Sequence, residues 1–171
     1  AVLRTANIRF NKNYELLMEV AEELKTDRRF KFLCAGDIIA GAHAEEQRYA
    51  GELRHRLVSA NPALGLQLLG HRNDIQKILV AADVSICTSR LEGFPNAILE
   101  AAYAGLPVLT TPVSGVDELV VEDQTGWVIP DNRPDEFAKR LRFLADDTEL
   151  RLRMGLDAQA RTRELYGSHA L

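Results

Sequence analysis

The stretch VSICTSRLEGFPNAILEAAYAGLPVLT, residues 84–110, decides the fold prediction, because two short apolar runs flank a helical pattern in it. Residues 84–88 and 108–110 are rich in β-branched and apolar side chains and predict strands. Between them, Pro95 suits the first turn of a helix and Gly105 suits its end. A strand, a helix and a second strand in close succession are typical of a parallel pair joined by a crossover helix.

The same alternation continues on both sides of this segment. Further strands are predicted at residues 2–7, 30–35, 66–69 and 126–130, and further helices at residues 14–24, 44–59, 75–82, 115–121, 134–145 and 149–165. Residues 38–43 indicate a loop, and Asn61-Pro62 indicates the end of the second helix. Asn73 followed by Gln76 indicates a capping box in front of the third.

Strands that alternate with helices build a parallel sheet covered on both faces. The predicted fold class is therefore α/β, a doubly wound Rossmann-like parallel sheet of about six strands with helices on both faces. The 171 residues, 46% of them hydrophobic and 27% charged, suit one globular domain over residues 1–171.

Composition also limits the partners and the location. A net charge of −4 argues against a nucleic-acid backbone as a partner. No apolar run approaches the length of about 20 residues that a membrane span needs, and the 171 residues show no signal-peptide pattern. Cys34 and Cys87 lie in apolar runs without metal-ligand spacing, which predicts two buried thiols in a reducing cytoplasm.

Several common doubly wound proteins are excluded by the residues that follow the predicted strands. Residues 7–11 contain no GxGxxG dinucleotide fingerprint. Gly36 and Gly41 have the spacing of a phosphate-binding P-loop, but Ala42-His43 stands where Lys-Ser or Lys-Thr would be. There is no GxSxG nucleophile elbow, and no acidic residue follows the first strand as a phosphoacceptor domain would need.

Two carboxylates lie around the start of the central helix. Glu92 precedes it in the loop, and Glu100 follows Pro95 by five residues, roughly 7–8 Å along the helix axis. Between them, the backbone N–H groups of residues 94, 96 and 97 are expected to point outward beside the positive end of the helix dipole. The spacing predicts an anion site flanked by two acids.

A ligand for such a site must satisfy both signs of charge. A bare phosphate would be repelled by Glu92 and Glu100. A nucleoside diphosphate sugar fits, because its diphosphate can accept from the N–H groups while its hydroxyls donate to the carboxylates. Lys12, just after the first strand, is a candidate countercharge.

The same residues resemble a known family. The pattern Glu92-x7-Glu100, with Gly-Phe-Pro-Asn after the first acid and Gly-Leu-Pro-Val at residues 105–108, is similar to the EGFP-type signature of glycosyltransferase family 4. Further segments that resemble the family are Ala6-Asn7-Ile8-Arg9, Lys12-Asn13, Ala35-Gly36, Leu69-Gly70 with Asp74, Ala82-Asp83-Val84 and Gly126-Trp127-Val128. The resemblance covers nearly the whole chain.

The resemblance implies one half of a two-domain GT-B enzyme. It points to the carboxyl-terminal, donor-binding half of a retaining glycosyltransferase, with the acceptor-binding amino-terminal half absent. It implies a nucleoside diphosphate sugar as donor, neither cofactor nor metal, and a setting in surface polysaccharide or glycolipid synthesis. The expected location is the cytoplasm, with membrane association only through the missing half. The isolated chain is expected to transfer nothing unaided.

The resemblance also implies roles for individual residues. Glu92 would contact the donor sugar at the catalytic centre, Glu100 the ribose hydroxyls, and Lys12 the diphosphate. The main chain at Arg72 would lie against the nucleobase. The remaining diphosphate contacts would come from the main chain of Gly93, Phe94, Pro95, Asn96 and Ala97.

One position departs from the family, and two alternative functions stay open. Many members have an arginine five residues before the lysine, where this chain has Asn7, and strand alternation predicts that Arg9 points elsewhere. The alternatives are one half of a sugar-nucleotide 2-epimerase, which shares the two-half architecture, and a non-catalytic module that binds nucleotide sugars.

Overall fold

The computed structural model describes residues 1–38, 43–130 and 133–167, apart from the side chains of residues 60–62, and contains a six-stranded parallel sheet. The strands are β1 (Val2–Thr5), β2 (Phe32–Ala35), β3 (Leu66–Gly70), β4 (Val84–Cys87), β5 (Val108–Thr110) and β6 (Gly126–Val128). Their order is β3-β2-β1-β4-β5-β6, and every neighbouring pair is parallel. The strand order reverses between β1 and β4, which confirms the predicted doubly wound α/β class.

Seven helices cover both faces of this sheet in the described part of the chain. They are α1 (Tyr14–Glu23), α2 (Ala44–Leu64), α3 (Ile75–Ala81), α4 (Asn96–Tyr103), α5 (Val116–Leu119), α6 (Pro134–Asp146) and α7 (Thr148–Tyr166). Helices α1, α2 and α6 contribute Leu17, Leu57 and Phe137 to one buried cluster. Helices α3, α4 and α5 contribute to the other, and α7 enters both, through Met154 and Ala158. Helices therefore cover both faces of the sheet.

The largest difference from the predicted elements is at the end of α2. The helix runs on through Asn61-Pro62 to Leu64, five residues beyond the predicted end. Leu57 and Leu64 lie two turns apart on one face of the helix, and both are buried in the core. Packing of that face outweighs the loss of the one backbone donor that proline removes in a last turn.

Smaller differences concern helix starts. The predicted capping box is wrong, because Asp74 precedes α3 without a side-chain cap and Asn73 bonds His71 instead. Pro95 is the residue before the first turn of α4 rather than inside it. Cys34 and Cys87 are free and buried, as predicted. Residues 39–42 of the predicted loop lie outside the described residues.

The parallel topology brings the loops after β1, β2, β3 and β4 to one edge of the sheet. The loop after β2 approaches the chain after β1 most closely at Gly36, whose φ is 146°. A Cβ atom there would lie 2.0 Å from the carbonyl oxygen of Ala6, so only glycine fits.

In the described ranges, no helix combines the length and the apolar character that crossing a membrane requires.

A close contact of α7 predicts a measurable packing constraint. A Cβ at Gly155 would lie 2.0 Å from the carbonyl oxygen of Gly105, so we expect Gly155→Ala to lower the free energy of unfolding by about 1–3 kcal/mol. Gly51→Ala in α2 is the matched control, since nothing lies within 4 Å of its Cβ position. It should stabilise the chain by about 0.5–1 kcal/mol. Urea unfolding of both variants checks the pair, and equal effects would contradict the packing.

Candidate functional site

Both predicted carboxylates line one cleft at the carboxyl edge of the sheet. Glu92 reaches it from the loop after β4, and Glu100 reaches it from the second turn of α4. The cleft has a volume of about 300 Å³. Its other lining residues are Thr5, Ala6, Asn7, Lys12, Phe94, Asn96 and Ala97. The structure therefore brings together most of the residues that the sequence singled out.

Lys12 and Glu92 form an ion pair in the wall of this cleft. The Lys12 Nζ lies 2.7 Å from both carboxylate oxygens of Glu92, and the two side chains are only 20% and 12% exposed. Ser89 Oγ donates a further hydrogen bond of 2.6 Å to Glu92 Oε1. The sequence assigned the lysine and the acid to different parts of a ligand, and the structure joins them directly.

The main chain at the start of α4 presents fewer donors than the sequence predicted. The N–H group of Asn96 donates to the carbonyl of Phe94 at 2.9 Å, so the expectation that it is free is wrong. The N–H groups of Phe94 and Ala97 have no acceptor among the described residues. A negative group in the cleft would meet these two donors and the positive end of the α4 dipole. The prediction of an anion site therefore depends on two amides rather than three.

Glu100 lines the same cleft without an ion-pair partner among the described residues. Burial raises the pKa of its carboxyl group above the ordinary 4.5, because the charged form loses water contacts. No ion pair to Glu100 occurs within the described ranges. A carboxylate of this kind is stabilised by donors that a ligand brings, such as neighbouring hydroxyl groups.

A second, smaller cleft of about 210 Å³ continues from the first. The two share Thr5, Ala6 and Asn7, and the second also reaches His71 and Arg72. The guanidinium of Arg72 makes a two-point contact with Asp74, at 2.8 and 2.7 Å, so its side chain is already engaged. The main chain of Arg72, to which the sequence assigned a contact, also borders this cleft.

The cation that sequence reasoning missed is Arg4. The side chain of Arg9 pairs with Glu46 of α2 at 2.9 Å and lines neither cleft, so it does not replace the arginine absent at Asn7. Arg4 instead lies buried in β1, with hydrogen bonds to the carbonyl of Lys12 and to Ser89 Oγ. The available signal was a charged residue inside a strand that is buried on both faces.

Metal ligands do not converge anywhere in the described ranges. No group of three or more His, Cys, Asp or Glu side chains there could hold an ion. In the cleft itself, the ammonium of Lys12 occupies the position beside Glu92 that a cation would take. The charges available to an anionic ligand come from side chains and from the helix terminus.

The raised pKa of Glu100 predicts a pH-dependent effect on stability. The buried carboxylate destabilises the fold as pH rises through its folded-state pKa, and this effect is absent below pH 4.5. We expect Glu100→Gln to raise the Tm at pH 7 by on the order of 1 °C, and to raise it less at pH 4. Thermal melts at both pH values check this, with the exposed Glu164→Gln as the control. A gain that is equal at both pH values would show that burial of the charge is not its source.

Comparisons with known proteins find relatives that are named as glycosyltransferases. The alpha-D-kanosaminyltransferase of Streptomyces kanamyceticus is 31% identical over 158 residues, which make up 92% of this chain and 39% of that protein. The UDP-Gal:alpha-D-GlcNAc-diphosphoundecaprenol alpha-1,3-galactosyltransferase of Escherichia coli is 42% identical over 87 residues, 51% of this chain and 22% of that protein. The chain thus spans less than half the length of either relative.

A solved structure shares the fold. Anabaena HepE, in complex with UDP and glucose, matches with a TM-score of 0.83 and 24% identity over 95% of this chain and 43% of that one. The sequence model of the family described as glycosyl transferases group 1 matches residues 2–161, a range that contains every residue of both clefts. By that match, the chain belongs to the glycosyl transferases group 1 family.

Proposed function

We propose that this chain is the carboxyl-terminal, donor-binding domain of a retaining GT-B glycosyltransferase of family 4. The observation that carries the proposal is the content of one cleft, in which two carboxylates, a lysine and two unpaired amides face the same space. A nucleoside diphosphate sugar uses each of these groups, whereas a ligand with only phosphate or only hydroxyl groups leaves some of them without a partner.

The chemistry of the walls supports one arrangement of the donor along the two clefts. Its diphosphate lies against the start of α4, where it accepts from the N–H groups of Phe94 and Ala97, and Lys12 supplies the countercharge. Glu100 accepts from the ribose hydroxyls and Glu92 from hydroxyls of the sugar. The nucleobase then extends into the second cleft, beside the main chain of Arg72. Gly93 and Pro95 set the course of the loop that carries these groups.

The unliganded ion pair adds a step to donor binding. Lys12 leaves or shares Glu92 when the diphosphate arrives, since an ammonium with three donors can serve a carboxylate and a phosphate together. As the glycosyl bond breaks, negative charge grows on the departing diphosphate. The amides of α4 and Lys12 stabilise that charge, and the sugar passes to the acceptor with retention of configuration.

The whole protein supplies what this domain lacks. We propose that an amino-terminal domain binds the acceptor across a cleft and that the enzyme works on the cytoplasmic side in surface polysaccharide or glycolipid synthesis. The name of the Escherichia coli relative, which acts on a diphosphoundecaprenol-linked sugar, supports that setting. Any association with the membrane is assigned to the amino-terminal domain. The 2-epimerase half is not favoured by any residue of the two clefts.

The two acids are expected to respond differently to nucleotide and to sugar. Glu100→Gln should weaken UDP binding by about tenfold, because an amide accepts less strongly from two hydroxyls than a carboxylate does. Glu92→Gln should not weaken UDP binding, because the hydroxyls that Glu92 binds belong to the sugar and because Lys12 is released from its pair to bind the diphosphate. Isothermal titration with UDP and with UDP-glucose checks both variants.

The outcomes of that titration separate the two roles. If Glu92→Gln lowers the affinity for UDP-glucose more than the affinity for UDP, each relative to the unmodified chain, the result supports contact of Glu92 with the sugar. Equal loss of UDP affinity in both variants would overturn the assignment of the two acids. If UDP, GDP and ADP all fail to raise the Tm of the unmodified chain, the donor-binding proposal itself is wrong.

The separation of donor and acceptor domains predicts the activity of the isolated chain. These 171 residues should bind nucleotide weakly and release no transferred sugar from a radiolabelled UDP-sugar. Adding the amino-terminal domain, encoded in the same gene, should restore transfer. Turnover by the 171 residues alone would show that this domain holds a complete catalytic centre.

A further inference from the structure

Arg4 is a fully buried guanidinium behind the wall of the first cleft. Its side chain is 1% exposed, in the strand β1 that ends at the cleft residue Thr5. One terminal nitrogen, Nη1, donates to the carbonyl of Ile86 at 3.4 Å. The other, Nη2, donates to the carbonyl of Lys12 and, at 3.4 Å, to Ser89 Oγ. All three acceptors belong to β4 or to the two loops that form the site.

The charge of Arg4 is not neutralised by its surroundings. No carboxylate in the described ranges forms an ion pair with it, and its Nε has no hydrogen-bond partner there. The guanidinium lies 5.1 Å from the centre of the Tyr14 ring, and burial raises the pKa of that phenol. Cys34 in β2 is the register partner of Arg4 in β1, and burial raises the pKa of its thiol to about 12. Both neighbours therefore remain uncharged at neutral pH.

A buried charge without a counterion is unfavourable for folding. The same site needs a positive potential, however, because Lys12 is neutralised by Glu92. Lys12, Glu92 and Arg4 together carry one net positive charge, which comes from Arg4 and offsets the carboxylate of Glu100 in the same cleft. A low-dielectric surrounding lets that charge act over a longer distance than an exposed lysine could.

Arg4 is also connected to both members of the ion pair. It holds the carbonyl of Lys12 together with Thr88 Oγ1, which donates to the same carbonyl at 3.2 Å. It donates to Ser89 Oγ, which in turn donates to Glu92 Oε1 at 2.6 Å. The guanidinium thus fixes the main chain of the lysine and, through one hydroxyl, the carboxylate of the acid.

We propose that Arg4 is a positioning residue of the donor cleft, which orients Lys12 and Glu92 from behind and supplies positive charge that attracts the diphosphate. The inference rests on the proposed function and adds the second cation that the sequence lacks at Asn7. Arg4 touches no ligand, because it is buried behind the wall. Its effect on binding is therefore electrostatic and geometric.

Nucleotide binding with and without the diphosphate tests this role. UDP and uridine share the nucleoside, so only the UDP affinity should depend on Arg4. We expect Arg4→Met to weaken UDP binding by about tenfold while uridine binding stays within about twofold. Arg4→Lys keeps the charge, but its single nitrogen cannot replace the two guanidinium nitrogens that donate from different positions, so it should recover part of the loss. The difference between Arg4→Met and the unmodified chain should shrink as salt concentration rises.

Tyr14→Phe is the matched control for a purely structural effect. It removes a buried hydrogen bond from the Tyr14 hydroxyl to the carbonyl of Ala6, next to Arg4, without changing any charge. It should lower the Tm and leave the ratio of UDP affinity to uridine affinity unchanged. If Arg4→Met does not fold, Arg4→Gln provides a second uncharged side chain that can still donate to the Lys12 carbonyl, and the same loss of UDP affinity is expected.

The results distinguish this inference from the function on which it rests. If the unmodified chain binds UDP and the uncharged Arg4 variants keep its ratio of UDP to uridine affinity, Arg4 is only structural and the inference is wrong. The proposed function then stands. If the unmodified chain binds no nucleoside diphosphate, the proposed function fails and the inference fails with it.

Discussion

The ion pair between Lys12 and Glu92 joins the loops that follow β1 and β4. These strands are neighbours at the position where the strand order reverses, and their crossover connections leave in opposite directions. A crevice opens there in any doubly wound sheet. In this chain a cation from one loop and a carboxylate from the other meet across that crevice, so the two halves of the sheet are tied together where a ligand would enter.

The residues around this pair are arranged at some expense of stability. Arg4 is buried without a counterion, and Glu100 is half-buried without a cation. Each arrangement is unfavourable in the unliganded fold. The core has room for such exceptions because both faces of the sheet are covered and only a small part of the interior is polar. These two unfavourable burials of charge both occur at the carboxyl edge of the sheet, next to the two clefts.

Much of the fold could be predicted from the sequence because local patterns agree with the global topology. Residues 108–110 form a strand as predicted, and Glu92 and Glu100 share a cleft because one precedes the start of α4 and the other lies in its second turn. The end of α2 could not be predicted. It depends on the packing of Leu64 in the core, and the local rule that a helix ends at proline takes no account of such packing.

The partners of the charged and polar groups in the site were harder to predict than the position of the site in the fold. Lys12 and Glu92 are 80 positions apart, so their pairing becomes visible only when β1 and β4 are side by side. The N–H group of Asn96 is taken by a tight turn whose geometry the sequence pattern does not specify. Arg4 has the appearance of a misplaced charge in a strand until its acceptors in both loops are known.

The wall shared by the two clefts, residues 5–7, has an evolutionary consequence. On one side of it lie the loops after β2 and β3, and on the other lie Lys12, Glu92 and the start of α4. Mutations in the loops after β2 and β3 can reshape the second cleft, while the first cleft, which holds the charged residues, keeps its geometry. Such a division lets the loops after β2 and β3 change in sequence without altering Arg4, Lys12 and Glu92, whose contacts hold the charged end together.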